Sequence, residues 1–476
     1  MTEFMYRFRP VKRLLGEKNN DGELEGQYIY FASPEQLNDP LEGYKDIYFH
    51  GDQIIWKNLI KHYLRCLINT CFDLVQKIDE VPTRRIDVFA SAESATEAMN
   101  ELNLEIFETL TSEPCINEFI SKIGVDRKVR RWELLSHLQI LHFYFFETIL
   151  EALHEKGVIA KPAKQNTSER KKILEQLKTL LPKLVIDANA TKQQENEFLK
   201  TYQRNSERQL LTRYRTYGKG KEYWFFVHIE FPEVFCREIE RLMYPSWYTA
   251  CFMSSCSDSS IWGSYGGYHQ DVCLKFKTEK EQNKTALTLT APCGEDMNGI
   301  VWSQVKHTFH EVSYEKSFVD IDYFRSLGHL PIPVLMNTWF RDENNAISNC
   351  AEQMFTDEKS WRTSYWENFY HSATVKLSAW DREKESRLIQ TSMMRSLENS
   401  DLRKLRYDFN SLEGIIFGIN TTMENKIKII KKIEELCTKH KRQEFSFYQS
   451  RYDESSREIM HDKLEVIRVG YKEPLA

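Results

Sequence analysis

Glycine and proline are scarce in this sequence, with 18 and 13 residues among 476. This scarcity excludes a collagen-like or low-complexity chain. Neither sign of charge dominates, because 65 lysines and arginines face 70 aspartates and glutamates and leave a net charge of −5. The balance excludes a strong general attraction to nucleic acid or to anionic membranes, although it leaves room for a local basic patch.

Several signatures of metal binding, catalysis and export are also lacking. The ten cysteines form no C-x-x-C pair, and no Gly-rich phosphate loop, nucleophile elbow or zinc-protease helix occurs. No run reaches the roughly 18 apolar residues that a membrane span needs, and the first ten residues lack the apolar core of an export signal. We therefore expect a soluble cytoplasmic protein without a membrane segment, a metal site or a disulfide framework.

The sequence that is present changes in texture along the chain. Residues 1–50 and 223–476 contain short runs rich in β-branched and aromatic residues, whereas residues 51–222 contain long stretches with apolar residues at helical spacing. This pattern predicts an α+β fold. A mostly antiparallel, split β core would be built from both chain ends, with a large helical insertion over residues 51–222.

Individual elements follow from the same patterns. The predicted strands cover residues 27–33, 223–229, 248–253, 272–276, 312–314, 374–377, 386–391, 414–418 and 444–448. The predicted helices cover residues 132–153, 168–181, 194–217, 335–370 and 423–439. The helix over residues 194–217 carries arginines between tyrosines, a pattern shared by nucleic-acid contacts and by the polar face of a solvated helix.

The terminal regions contain four sets of motifs in a fixed order. These are Tyr6-Arg7-Phe8-Arg9 with Tyr30-Phe31-Ala32-Ser33-Pro34 and Asn38-Asp39-Pro40-Leu41-Glu42; Ala250-Cys251-Phe252-Met253-Ser254 with Ile261-Trp262-Gly263-Ser264-Tyr265; Trp380 with Glu383-Lys384-Glu385-Ser386-Arg387; and Gly414-Ile415-Ile416-Phe417-Gly418 before an amphipathic helix. As an ordered set they resemble the uncharacterised bacterial domain-of-unknown-function family numbered twenty-nine seventy-one. The resemblance covers about residues 1–50 and 225–465. Met253 departs from it, because the family usually has a serine directly after Cys-Phe.

The order of three residue types is also similar to the arginine–serine–glutamate class of mono-ADP-ribosyltransferases, which have a split, mostly antiparallel β core. The resemblance implies an enzyme that uses NAD⁺ to modify a protein or nucleic-acid acceptor, or that hydrolyses it. A setting in bacterial antiphage defence or a toxin system is expected by the same resemblance. The resemblance leaves residues 51–222 uncovered; a partner protein is expected to dock on this helical insertion in the alternative of a sensing module.

The same resemblance assigns the catalytic roles. Glu385 would be the catalytic carboxylate, because a carboxylate near the ribose stabilises the oxocarbenium-like state formed when nicotinamide leaves. Glu383, two residues earlier on an extended strand, would serve the acceptor. Ser254 or Ser255 would support the site through hydroxyl hydrogen bonds.

The cofactor-binding roles follow in the same way. Arg7 or Arg9 would hold the pyrophosphate, since a guanidinium fork grips phosphate oxygens bidentately. Trp262 and Tyr265 would stack on the nicotinamide or adenine ring. Arg7, Ser254 and Glu385 should therefore line one cleft.

Each candidate also has a structural explanation. Alternation of arginines with aromatics is typical of a strand with one polar face, and the charged run around Glu385 is typical of a solvated, ion-paired surface. The serines after Met253 fit a helix N-cap, and the three-residue spacing of Trp262 and Tyr265 fits helix packing.

Two other functions also remain open. One is a non-catalytic module that senses a nucleotide or a protein. The other is a metal-dependent nuclease with acids from Asp39, Glu42, Glu383 and Glu385, for which no lysine stands out.

Overall fold

The computed structural model describes residues 3–17, 20–76, 83–90, 96–123, 127–159, 167–181, 192–218, 221–392 and 395–464. The chain combines helices and strands in two compact units. The first, which we call the sheet unit, comprises Met1–Tyr44, Ser246–Phe318 and Tyr370–Ala476. The second, the helical unit, comprises Lys45–Pro245 and Val319–Phe369. Both chain ends thus contribute to one mostly antiparallel sheet, as predicted, while residues 223–245 and 319–369 join the helical unit instead of the sheet.

The strands of the described residues are β1 (Phe4–Arg9), β2 (Gly16–Glu17), β3 (Asn20–Asp21), β4 (Tyr28–Tyr30), β5 (Asp46–Phe49), β6 (Val129–Arg130), β7 (Ser246–Met253), β8 (Val272–Lys277), β9 (Glu279–Glu281), β10 (Lys284–Asp296), β11 (Gly299–Glu311), β12 (Asp320–Asp322), β13 (Glu385–Ser392), β14 (Lys404–Tyr407), β15 (Leu412–Phe417), β16 (Ser446–Asp453) and β17 (Glu458–Lys463).

The helices of the described residues are α1 (Val11–Leu15), α2 (Glu23–Gly26), α3 (Gln53–Gln76), α4 (Glu97–Thr111), α5 (Pro114–Lys122), α6 (Arg131–Glu155), α7 (Thr167–Leu180), α8 (Lys192–Arg213), α9 (Glu222–Phe225), α10 (Phe231–Glu238), α11 (Ser259–Ser264), α12 (Ile332–Leu335), α13 (Glu352–Thr356), α14 (Glu358–Ala373) and α15 (Met423–His440). None of these helices combines the length and the apolar character that crossing a membrane requires.

The large sheet has the strand order β17-β16-β15-β8-β1-β7-β13-β11-β10-β14-β4, with β9 paired to β10. Neighbouring strands of this sheet run antiparallel, except for β15 and β16, which run parallel. The sheet curls back on itself, because Ala32, just after β4, exchanges two backbone hydrogen bonds of 2.8 Å with Thr249 in the middle of β7. Strands β7 and β13 are therefore enclosed in the interior of the unit.

Both faces of the sheet are covered by apolar side chains at its central strands β8, β1 and β7. Phe252 and Leu274 belong to a large core on one face, whereas Met253, Cys273 and Trp262 belong to a smaller core on the other. The alternation follows from the period of two along a strand. The charged side chains of Glu385 and Arg387 on β13, the neighbour of β7, are consequently buried.

The helical unit is organised around α6, which the sequence predicted as a central buried helix. Leu134, Leu138, Leu141 and Phe145 on this helix are fully buried. A small sheet with the order β12-β5-β6 also belongs to this unit.

The strand predicted over residues 223–229 is wrong. The segment forms α9 followed by a π-helix over Phe226–Glu230. Its run of aromatic and branched residues favours a strand locally, but burial of Tyr223, Phe225, Phe226 and Val227 within a helical unit favours a helix. The long β10–β11 hairpin was not predicted at all.

A buried charge cluster as the candidate functional site

Five charged side chains meet where β13 begins in the sheet unit. They are Glu42, Lys376, Glu383, Glu385 and Arg387, and each side chain is at most 4% exposed. We call them the charge cluster. All of them except Lys376 belong to the motifs that were singled out above, and residues separated by more than 300 positions converge on one place.

Lys376 is the common partner of the three carboxylates. Its Nζ lies 2.6 Å from Glu383 Oε2, 3.2 Å from Glu385 Oε2 and 3.4 Å from Glu42 Oε1. Burial alone would lower the pKa of this lysine, but the facing carboxylates raise it above its ordinary value. Lys376 is therefore a permanent cation.

Arg387, on β13, pairs with two of these carboxylates, Glu42 and Glu385. Its Nε donates to Glu385 Oε1 at 2.8 Å, its Nη2 donates to Glu42 Oε1 at 2.8 Å, and its Nη1 donates to the carbonyl oxygen of Ala373 at 2.7 Å. With three carboxylates and two cations, the cluster has one excess negative charge when every group is ionised.

The backbone around Lys384 explains how both late glutamates reach one lysine. Glu385 and Arg387 are two residues apart on β13 and share a face. Glu383 instead ends a 3₁₀ turn, Ser378–Glu383, and Lys384 has a left-handed φ of 42°. The prediction that Glu383 lies on the same extended strand as Glu385 is wrong, yet the turn places its carboxylate beside Lys376.

The two late glutamates differ in their ionisation. Burial would raise the pKa of Glu385, but the adjacent Arg387 and then Lys376 hold it at about 2. Burial raises the pKa of Glu383, and the contacts with Lys376 and Tyr265 only partly offset this effect. One carboxylate is thus held ionised, while its neighbour binds a proton more readily than an ordinary glutamate.

Tyr265 and Asn38 connect Glu383 with the outer part of the unit. The Tyr265 hydroxyl donates to Glu383 Oε1, and Asn38 Nδ2 donates to the Tyr265 hydroxyl oxygen at 3.1 Å. Tyr265 is half-buried and Asn38 is exposed. Burial and the charge of Glu383 raise the pKa of Tyr265, so its hydroxyl remains protonated as a donor.

Arg7 and Arg9 lie on the opposite face of the sheet. Tyr6 on β1 is in register with Met253 on β7, and Met253 is in register with Glu385 on β13. Because side chains alternate along a strand, Tyr6, Met253 and Glu385 share one face and the two arginines occupy the other.

Both arginines have protein partners on that face. Arg7 Nη2 donates to the carbonyl oxygen of Tyr30 at 3.0 Å, and its guanidinium lies over the Phe252 ring. Arg9 Nε donates to Glu23 Oε2 at 2.7 Å. Burial, and then Arg9, lower the pKa of Arg7 to about 10. The prediction that either arginine shares a cleft with Glu385 is therefore wrong.

The remaining predicted residues are divided. Trp262 is fully buried and packs edge-on against Phe8, with 4.8 Å between the ring centroids. Its ring nitrogen donates a hydrogen bond to the carbonyl oxygen of Cys256. The ring is therefore part of the hydrophobic core and does not present a face for stacking on a ligand. Ser255 forms a local turn in which its hydroxyl oxygen lies 3.0 Å from that of Ser257. Ser254 directly follows β7 and is half-buried.

The acids considered for a nuclease have different roles in the structure. Asp39 accepts the backbone N–H of Leu41 at 3.0 Å and stabilises a turn. Glu42 enters the charge cluster, where Lys376 supplies a lysine that the sequence did not single out. Among the residues that the structure describes, no group of three or more His, Cys, Asp or Glu side chains could hold a metal ion.

Lys376 and Arg387 are the two members of the cluster that sequence reasoning missed. Lys376 interrupts an apolar run between Val375 and Leu377, and a lysine in a predicted strand is a signal of a buried partner. Arg387 was named as the end of a motif and as part of a charged surface run, but it was given no role. Its position two residues after Glu385, followed by the apolar Leu388, was the available signal of an inward side chain.

The low pKa of Glu385 should make stability depend on pH. The folded pKa lies below the unfolded value, so the contribution is present above about pH 4.5 and is lost as the pH falls towards 2. Between pH 5 and pH 3 we expect the wild type to lose about 2 kcal/mol more than Glu385→Gln, measured by urea unfolding. Equal losses in the two proteins would contradict the assignment; Glu311→Gln, on exposed β11, is the control.

No family model, no curated protein and no solved structure matches the chain.

Proposed function

We propose that the charge cluster is the catalytic centre of an NAD⁺-using enzyme, an ADP-ribosyltransferase-like protein or an NAD glycohydrolase. The observation that supports this most is the pair of Glu383 and Glu385. Both carboxylates reach one lysine, and their pKa values are shifted in opposite directions. Most enzymes that break a glycosidic bond use two carboxyl groups whose pKa values differ.

Glu385 would stabilise the ribose as nicotinamide leaves. The bond between ribose C1′ and the nicotinamide nitrogen breaks, the electron pair goes to nicotinamide, and positive charge develops on the sugar. A carboxylate that is ionised at every physiological pH stabilises this charge, most strongly where water is excluded. Arg387 and Lys376 position Glu385 for that role.

Glu383 would act on the acceptor. Water or an acceptor hydroxyl forms the new bond to C1′, and its proton passes to the Glu383 carboxylate. A raised pKa brings this carboxyl group closer to the operating pH and so makes it a better base. The Tyr265 hydroxyl holds one Glu383 oxygen, which leaves the carboxylate fixed in orientation.

A different pair of cations would hold the pyrophosphate, because Arg7 and Arg9 face away. Arg382 and Lys384 flank Glu383 in the chain, and both are exposed. Exposed cations of this kind bind phosphate oxygens through charge-assisted hydrogen bonds. The curled antiparallel sheet from both chain ends supports the fold that this proposal implies, and the expected setting remains phage defence or a toxin system.

A non-catalytic binding protein is the second candidate. The observation that favours it over an enzyme is that Glu383 and Glu385 already pair with Lys376 and are no more than 4% exposed, which disfavours their contact with a substrate. In that case ligands would bind saturably without any chemical change.

Tyr265→Phe is the test that separates the two candidates. The substitution removes the hydrogen bond to Glu383 but keeps the ring, so the fold should remain. We expect the rate of nicotinamide release from NAD⁺ to fall about tenfold. The acidic limb of the pH–rate profile should move to higher pH, because Glu383 loses a donor that stabilises its anion.

Tyr268→Phe is the matched control, because Tyr268 is 80% exposed on the following loop. Wild-type protein that binds NAD⁺ but releases no nicotinamide would overturn the catalytic proposal in favour of the binding protein. An unchanged rate and pH profile in Tyr265→Phe would remove Tyr265 and Glu383 from the mechanism.

A further inference from the structure

A cavity of about 310 Å³ lies within the helical unit. It is bounded by α3, by α4 and by residues 337–343, which include most of the π-helix Met336–Phe340. Its volume is at the lower end of the range of pockets that bury small-molecule ligands. The π-helix also points to a site, because such segments are rare and occur frequently where proteins bind or react.

Two arginines line this cavity without a protein partner. Arg65, on α3, and Arg341, directly after the π-helix, form no side-chain hydrogen bond and no ion pair in the part of the chain that the structure describes. Nε and Nη1 of Arg65 and Nε of Arg341 are buried and donate to no acceptor. Buried polar groups are nearly always hydrogen-bonded, so each exception calls for an explanation, such as a bound ion.

Three other charged side chains of the lining are already paired. Lys61 forms an ion pair with Glu343. The Asp342 carboxylate accepts two backbone N–H groups of its own turn, at 2.9 Å and 2.8 Å. The two acids are therefore bound elsewhere and do not serve as partners for the two arginines.

The electrostatics of Arg65 indicate that an anion is missing from the cavity. Burial lowers the pKa of this arginine, and the nearby Cys66 offsets the effect only in part. A buried cation without a counter-charge is costly, and an oxyanion in the cavity would supply that charge.

The number of donors favours phosphate over a carboxylate. Guanidinium groups bind the oxygens of both anions through charge-assisted hydrogen bonds. One arginine fork is enough for the two oxygens of a carboxylate. A phosphate group has at least three acceptor oxygens and up to two negative charges, so it can bind two guanidinium groups at once.

We propose that this cavity binds phosphate, as the free ion or as the phosphate group of a small molecule, with Arg65 and Arg341 as the cationic contacts. Leu64 and Phe107 line the same cavity and offer an apolar surface for the remainder of a phosphate ester. The site lies wholly within the helical unit and does not rest on the function proposed for the charge cluster.

The test is calorimetric titration of the full chain, in a buffer without phosphate, with inorganic phosphate and with phenyl phosphate. We expect saturable binding that Arg65→Met and Arg341→Met each weaken about tenfold or more, since each loses a hydrogen bond between charged groups. Arg362→Met is the matched control, because Arg362 is an exposed arginine of α14 that pairs with Glu358. It should bind both probes as the wild type does.

Thermal unfolding separates a loss of binding from a loss of folding. Without phosphate, Arg65→Met should unfold at or above the wild-type temperature, because methionine keeps much of the apolar stem and removes a cation that has no counter-charge. Added phosphate should raise the Tm of the wild type and of Arg362→Met but not that of Arg65→Met.

Three results would overturn the proposal. The first is that neither probe binds saturably, and the second is that neither arginine substitution weakens the binding. The third is that acetate binds as tightly as phosphate, which would contradict the choice of phosphate over a carboxylate. Tighter binding of phenyl phosphate would assign the cavity to a phosphate ester, and tighter binding of inorganic phosphate would assign it to the free ion; both results support the proposal.

Discussion

Lys376→Met should lower the free energy of unfolding by about 3–5 kcal/mol at pH 7, the cost of removing one partner from a buried ion pair. Methionine fills a similar volume, so the loss is electrostatic. Glu42, Glu383 and Glu385 would remain in the interior with Arg387 as their only cation from the cluster. Urea unfolding followed by tryptophan fluorescence measures the change.

The loss should be smaller at acidic pH. Burial already raises the pKa of Glu383, and without the lysine this pKa rises further above its unfolded value. The resulting destabilisation therefore grows as the pH rises through about 4.5. Lys428→Met is the control, because Lys428 forms an exposed pair with Glu424 on α15 and should contribute little. A loss at pH 7 no larger than that of Lys428→Met would show that the cluster is not held as described.

Glu385→Gln should reduce nicotinamide release from NAD⁺ by about 10²–10³-fold, the effect of deleting a group that stabilises transition-state charge. The amide keeps the shape of the side chain but not its charge. Glu385→Asp keeps the charge and withdraws it by one methylene, so an intermediate rate is expected. The rates are measured on protein shown to be folded by circular dichroism and thermal unfolding.

A structural role for Glu385 predicts a different pattern. Activity would then follow the folded fraction, and both substitutions would be equally active once folded. Glu311→Gln is the control, since Glu311 lies on the neighbouring strand β11 in register with Ser386 but is exposed. Turnover by folded Glu385→Gln at the wild-type rate would remove Glu385 from the chemistry.

Local sequence patterns predicted the central strands and one long helix well. The strand predicted over residues 248–253 is found in β7, that over residues 414–418 largely in β15, and the helix over residues 423–439 in α15. These segments combine strong local preference with burial of the same side chains, so short-range and long-range effects agree.

The faces of the sheet could not be predicted. Alternation in Tyr6-Arg7-Phe8-Arg9 shows that the arginines share a face, but both faces of this sheet are buried. Which face contains Glu385 is set by the register of β1 on β7 and of β7 on β13, and register depends on pairing between distant segments. The alternation therefore predicted that Arg7 and Arg9 share a face, but it did not predict whether that face also contains the charge cluster.

The candidate site was predicted in part for a similar reason. The carboxylates Glu383 and Glu385 were identified through the resemblance to the arginine–serine–glutamate class of mono-ADP-ribosyltransferases. The turn that places Glu383 beside Lys376 depends on a left-handed residue, Lys384. Because this residue is not glycine, the sequence gave no signal of the turn. Burial turned a run that resembles a solvated surface into an interior ion network.

Carboxyl titration by ¹³C NMR, with glutamate labelled at Cδ, tests the central claim most directly. The resonance that disappears in Glu385→Gln should stay that of an ionised carboxylate down to about pH 3, and the one that disappears in Glu383→Gln should titrate above the ordinary glutamate value. Two resonances that both titrate near pH 4.5 would contradict the claim that these carboxyl groups share a buried site with opposite ionisation.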